Sequence, residues 1–192
     1  MLVYVPTHLP VKRRADLEIN RIEAIWLELK HPRSKPCLLG LIYRPPSTDS
    51  SFYDDFDLML TQVDCKNCKT YLLGDFNIDL IVNNSQSKRF LDLTKIYNLK
   101  QIINEPTRPV SGTLIDHIFA NCNNNILKSG TLPVTLSDHL PIFVTITSRS
   151  IRLKIKGHLR FTLYATPNAL SIVTLSIRIS KTLNISGASF KV

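Results

Sequence analysis

The chain has 192 residues, 44% of them hydrophobic, and a formal net charge of +9. Such a length suits one domain with a real core, and the composition excludes a disordered chain. Seven of the 24 basic side chains lie in residues 151–192, which carry no acid, leaving 17 basic against 15 acidic, or +2, in residues 1–150; the basic balance therefore says little about nucleic-acid binding by the first 150 residues.

Leu2 to Val5 reads as a strand that opens the chain with no lead-in, so the chain is expected to begin mid-fold. Ile22 to Leu29 alternates loosely and Cys37 to Tyr43 is a continuous apolar run, so both read as strands, the second buried on two faces. Pro45 and Pro46 end it, because neither can donate to a ladder. Ser51 to Asp54 has capping-box spacing, and Phe52, Phe56, Met59, Leu60 and Val63 follow at helical intervals, which predicts a helix over 51–63. Tyr71 to Leu73 reads as a strand into Gly74, and Phe90, Leu93 and Tyr97 mark a second helix from about Ser87 to Asn98. Ile102-Ile103, Gly112 to Ala120 and Pro141 to Thr147 read as further strands. The order predicts an α/β chain with a mixed sheet system and helices outside.

From Ile151 the sequence loses its acids and any stable period. It reads either as a β-rich extension or as a stretch outside any domain. The second is preferred, because a Leu170 to Leu175 strand would make an unprotected, aggregation-prone edge. Cys65 and Cys68 have the spacing of half a zinc site, but Cys37 and Cys122 stand in unrelated contexts, and surface thiols in a reducing compartment are the simpler reading. No secretory signal and no apolar run near the ~20 residues of a membrane span is present. A nuclear or cytoplasmic protein is expected.

Three stretches carry chemistry. Asp75 follows a glycine at a strand end, with Asn77 two residues on facing the same way; the pair is either a polar site or a turn in which Asp and Asn bond their own backbone. Ser137-Asp138-His139 places a carboxylate and an imidazole side by side before a strand, one for a metal and one for a phosphate, or else caps a turn. A serine-hydrolase reading fails, since sequence neighbours cannot align as nucleophile, base and orienter. Asp116 interrupts an apolar strand, and burying it requires a partner; His139 is the candidate, while His117 faces the other side in a packing or surface role.

Tyr43-Arg44-Pro45-Pro46, Gly74-Asp75-Phe76-Asn77, Glu105-Pro106-Thr107-Arg108 with Gly112 to Asp116, and Ser137-Asp138-His139 occur in the order and approximate spacing of the endonuclease/exonuclease/phosphatase superfamily. Over residues 1–147 the chain most resembles the apurinic-type endonuclease domain of non-LTR, LINE-type retrotransposons, with 148–192 as a basic tail outside the pattern. The resemblance implies a four-layered α/β/β/α sandwich and Mg²⁺-dependent DNA nicking that leaves a 3′-hydroxyl, with Mn²⁺ as a substitute ion. It also implies roles: Asp75 orients or deprotonates the attacking water and Asn77 helps to hold water and phosphate. His139, oriented by Asp116, stabilises charge on the phosphate, Tyr43 bonds a phosphate oxygen, Asp138 contributes to the metal site, and Arg44 contacts the DNA backbone.

The family's early Asn and metal-binding Glu have no counterparts here, which reads as an N-terminally truncated domain with a sheet edge exposed. Two functions follow: a metal-dependent DNA endonuclease, or an inactive retrotransposon-derived fragment with at most weak nucleic-acid binding. A phosphatase or phosphodiesterase of the same superfamily ranks below both. DNA is the partner expected, with no membrane and no protein partner.

Overall fold

The computed structural model describes residues 1–5, 10–30, 35–133, 138–148, 157–165 and 172–181. Eleven strands form among them: β1 (Leu2–Tyr4), β2 (Val11–Arg13), β3 (Glu23–Leu29), β4 (Cys37–Tyr43), β5 (Lys69–Asp75), β6 (Lys100–Gln101), β7 (Asp116–Ala120), β8 (Ile126–Thr131), β9 (Ile142–Ser148), β10 (Gly157–Ala165) and β11 (Ile172–Lys181). Two helices, α1 (Ser51–Asp64) and α2 (Ser85–Ile96), complete the fold with a 3-10 turn at Ala15–Leu17.

The strands divide into a six-stranded sheet of order β2-β3-β4-β5-β7-β6 and a five-stranded sheet of order β1-β11-β10-β9-β8. β4 and β5 pair in parallel and are joined through α1, while β3, β5 and β7 supply antiparallel neighbours. Strand periodicity sets the layers. Leu39, Leu41, Tyr71, Leu73 and Ile118 point from the six-stranded sheet onto Ile142, Val144 and Ile146 of β9, forming the core between the sheets. Trp26, Leu38, Ile42, Leu72 and Phe119 point the other way, onto Phe52, Phe56, Met59, Leu60 and Val63 of α1 and Phe90 of α2.

The mixed α/β sandwich is thus the architecture expected from the sequence. Among the described residues both α-helices cover the six-stranded sheet, so three layers of the four are seen. β2 and β8 are strands that the sequence reading missed. β2 is three residues long with two of them exposed, and β8 is half-buried, with little apolar alternation to mark either. The strand expected over Gly112 to Ala120 begins only at Asp116; a turn precedes it, with Arg108 bridging Thr113. α1 is capped from outside the expected box: the Asp49 carboxylate accepts the Ser51 N–H at 2.8 Å. α2 begins earlier than expected, at an Asn84–Ser87 capping box.

Two segments of the tail are strands. β10 pairs with β9, and β11 lies between β10 and β1, so β11 has a neighbour on each side. The objection that such a strand would be an open edge therefore does not apply to it.

Candidate active site

The site begins with register. Tyr43 is the Cα partner of Asp75 across the β4–β5 pair, and Asp75 is the partner of Asp116 across β5–β7. Residues paired in register share a face, so Tyr43, Asp75 and Asp116 stand in one row at the ends of three adjacent strands, on the face turned toward the other sheet. His139 arrives from that second sheet, in the segment leading into β9. Its Nδ1 lies 2.8 Å from Asp116 Oδ2.

The local backbone makes the row possible. Gly74 has φ of +153°, and a Cβ there would sit 1.7 Å from the Ile42 carbonyl oxygen, so only glycine lets β5 approach β4 this closely before Asp75. Asn77 takes φ of +48°, a left-handed conformation that asparagine tolerates, and its N–H donates to Asp75 Oδ1 at 3.0 Å. The turn reading of Gly-Asp-Phe-Asn is therefore realised, with the Asp75 carboxylate as its acceptor. Asn77 Nδ2 donates to the Arg44 carbonyl at 2.8 Å, while the Arg44 N–H donates to the Asp75 carbonyl at 2.9 Å.

Arg44 differs from the expectation of a DNA-backbone contact. It is 2% exposed and turned inward, donating from Nη1 to the Phe76 carbonyl at 3.3 Å and from Nη2 to the Thr48 carbonyl at 2.9 Å, with its guanidinium over the Phe52 ring. Burial lowers its pKa. The reason is local: the chain after Pro45 turns back toward α1, and the guanidinium supplies donors to carbonyls that no ladder satisfies.

Two further residues hold the row in place: Thr107, which the sequence reading gave no role, and His117, expected on the opposite face in a packing or surface role. Thr107 is fully buried, and its Oγ1 accepts from the N–H groups of Ile115 and Asp116 at 3.3 and 3.2 Å. Its carbonyl accepts the Leu140 N–H at 2.7 Å, so one residue ties the Asp116 strand to the His139 segment. A threonine after a proline, ahead of an isolated strand acid, was the available signal. His117 lies on the opposite face, fully buried among Phe76, Phe90 and Phe119. Burial pushes its pKa down to about 4, so it is neutral, with Nε2 donating to the Ile78 carbonyl at 2.8 Å and Nδ1 accepting from Gln101 at 3.0 Å. It pins the loop that follows Asn77.

Electrostatics distinguishes the three clustered groups. Burial first, and then the charge of Asp116, pushes the Asp75 carboxyl up to about 6. At His139 burial opposes the cation, but the hydrogen bond and charge of Asp116, with the charges of Asp75 and Asp138, outweigh it and raise the pKa. Asp75, Asp116 and His139 offer ligand atoms all within 4.8 Å of one another, the one such group among the described residues. Two carboxylates and an imidazole in contact, one carboxylate already destabilised by the other, fit a divalent cation, which would relieve that repulsion.

Asp138, the expected metal ligand, stands outside this cluster. It is half exposed and forms an ion pair with Arg108, whose guanidinium holds the Asp138 carboxyl below the usual carboxylate range. Ser137 lies outside the described residues. The four thiols are free and do not make a zinc site among the described residues: Cys37 packs in the core between the sheets and Cys68 against the helix side. No helix among the described residues is long and apolar enough to cross a membrane.

Known proteins share parts of this fold. An endonuclease/exonuclease/phosphatase from Beutenbergia cavernae aligns over 86% of this chain and 51% of its own, at 14% identity and a TM-score of 0.50. An endonuclease/exonuclease/phosphatase family protein from Leptotrichia buccalis aligns over 64% and 53%, at 16% identity and a TM-score of 0.49. A mannosyl-6-phosphatase from Bacteroides thetaiotaomicron aligns over 67% and 49%, at 17% identity and a TM-score of 0.44. The first of these likenesses concerns the fold alone, and the chain spans about half the length of the solved structures it matches. No curated protein matches the sequence. A family model described as endonuclease-reverse transcriptase matches residues 37–143, a stretch that holds Tyr43, Arg44, Asp75, Asn77, Asp116, Asp138 and His139. The chain therefore belongs to the endonuclease-reverse transcriptase family, within the endonuclease/exonuclease/phosphatase superfamily.

Proposed function

We propose that the chain is a metal-dependent DNA endonuclease of the LINE-type retrotransposon branch, which nicks a phosphodiester and leaves a 3′-hydroxyl. The observation that carries this reading is the row Tyr43, Asp75, Asp116, closed by His139 from the other sheet. In it Asp75, with its pKa near 6, accepts the proton of the attacking water close to neutral pH. Asn77 keeps that carboxylate in place through its N–H and its bond to Arg44. Asp116 holds the imidazole of His139, whose cationic form stabilises charge building on the phosphate oxygens. Tyr43, half-buried beside Asp75, donates its hydroxyl to a phosphate oxygen. A cation, Mg²⁺ or Mn²⁺, would be held by carboxylate oxygens of Asp75 and Asp116, with Asp138 as a further ligand, and would neutralise developing negative charge. The substrate places the protein in the nucleus or the cytoplasm.

A second reading, an inactive fragment that binds nucleic acid weakly, is favoured by one observation: Arg108 holds the carboxylate of Asp138 away from the cluster. Nicking of supercoiled plasmid by the purified chain, in Mg²⁺ and in EDTA, separates the two. Endonuclease function requires nicking that EDTA abolishes and that Asp138→Ala and His139→Ala both lose. A folded, soluble sample that never nicks would instead support the inactive fragment.

A further inference from the structure

The Glu105-Pro106-Thr107-Arg108 stretch brings a cation to the site that the steps above do not use. The Arg108 backbone is tied down: its N–H donates to the Thr113 carbonyl at 3.0 Å, and its carbonyl accepts the Gly112 N–H at 2.9 Å. Thr107, next to it, is the buried residue that fixes the Asp116 strand. The Arg108 side chain, by contrast, is 38% exposed, and its Nη2 donates to Asp138, itself 50% exposed. Its charge also reaches Asp75, where it favours the ionised carboxylate. A guanidinium thus sits on a fixed stem at the mouth of the acidic cluster, held by an exposed ion pair of the kind that contributes little and exchanges readily.

A phosphodiester entering this site is an anion approaching Asp75 and Asp116. It needs a counter-charge beyond His139, and a guanidinium fork matches the geometry of phosphate oxygens. We propose that Arg108 leaves Asp138 and binds a non-bridging oxygen of the substrate phosphodiester. The inference rests on the DNA phosphodiester reading above and adds the residue that receives the phosphate and the carboxylate that holds this residue beforehand.

The test is metal-free. Anisotropy of a short fluorescein-labelled DNA duplex in EDTA measures binding by the full chain, by Arg108→Ala, Arg108→Lys and Asp138→Asn, and by the Arg108→Ala/Asp138→Asn double variant, with a thermal melt of each. Arg108→Ala is expected to weaken binding about tenfold, and Arg108→Lys to recover only part of the loss, because charge returns without the fork. Asp138→Asn is expected to tighten binding several-fold in the otherwise unchanged chain, through the freed guanidinium, and to have no effect once Arg108 is alanine. Binding by Arg108→Ala within about twofold of the unchanged chain overturns the inference, since a phosphate contact is worth more. So does tightening by Asp138→Asn that is equal with and without Arg108, which assigns the effect to net charge. An unchanged chain that binds no duplex at all overturns the DNA reading itself and this inference with it; binding with all variants alike overturns this inference alone.

Discussion

Asp116 and His139 are 23 residues apart and come from different sheets, yet their side chains meet at 2.8 Å with both nearly buried, at 7% and 10% exposure. The pair joins the two halves of the sandwich at the site, and it sets the protonation of the imidazole.

Replacing Asp116 by Asn keeps the shape and removes the charge. The His139 pKa, raised in the folded chain above its ordinary 6.5, should fall. The cation is then lost at lower pH, so the alkaline limb of the nicking profile moves to lower pH and activity at neutral pH drops by about 10²-fold or more. The linkage sign agrees: a raised histidine stabilises the fold below 6.5, and that stability disappears as pH rises through the folded value, so the variant should lack this loss. An NMR titration of the His139 ring protons, beside the rate profile, checks both.

Asp75 carries the opposite consequence for stability. Its carboxyl is pushed from 3.8 up to about 6, so the folded state resists ionisation, and the wild-type chain should lose stability as pH rises through that window. Asp75→Asn removes the buried charge. It should abolish nicking while stabilising the fold by about 1–2 kcal/mol at neutral pH, a difference that vanishes in acid. Urea unfolding of both proteins across that pH range is the measurement.

Thr107→Val preserves volume but removes the acceptor for two backbone N–H groups in a fully buried position. The expected cost is about 1–3 kcal/mol in unfolding free energy. Nicking by the still-folded fraction should fall as well, because the Asp116 backbone loses its tether; Thr107→Ser, which restores the hydroxyl, should recover most of it.

Arg44→Met separates a structural arginine from a DNA contact. The carbonyls of Phe76 and Thr48 lose their donors, so unfolding free energy should fall by about 2 kcal/mol. The salt dependence of DNA binding should keep its slope, whereas loss of a phosphate contact would reduce it by about one unit.

Much of the site was legible because its parts are short. A glycine before Asp75, an acid at the start of the strand that begins at Asp116, and the Asp138-His139 pair are local signals, and the demand that a buried carboxylate find a partner points from Asp116 to His139. Strands with strong apolar patterns, such as β4, and helices with clear periodicity, such as α1, were equally visible. β2 and β8 were not, since two of the three β2 residues are exposed and β8 has a mixed pattern in which apolar Leu127 is exposed beside Lys128.

By itself the sequence determined which chemical groups are available and which face of its own strand each one occupies, because side-chain alternation is a property of the local backbone. Only the tertiary structure decided that Tyr43, Asp75 and Asp116 share one row, since register depends on how β4, β5 and β7 slide against one another. The same holds for the two arginines. Arg44 turns inward because a carbonyl 32 residues away needs a donor, and Arg108 reaches Asp138 across 30 residues; long-range partners decide where a flexible cation goes, and no periodicity encodes them.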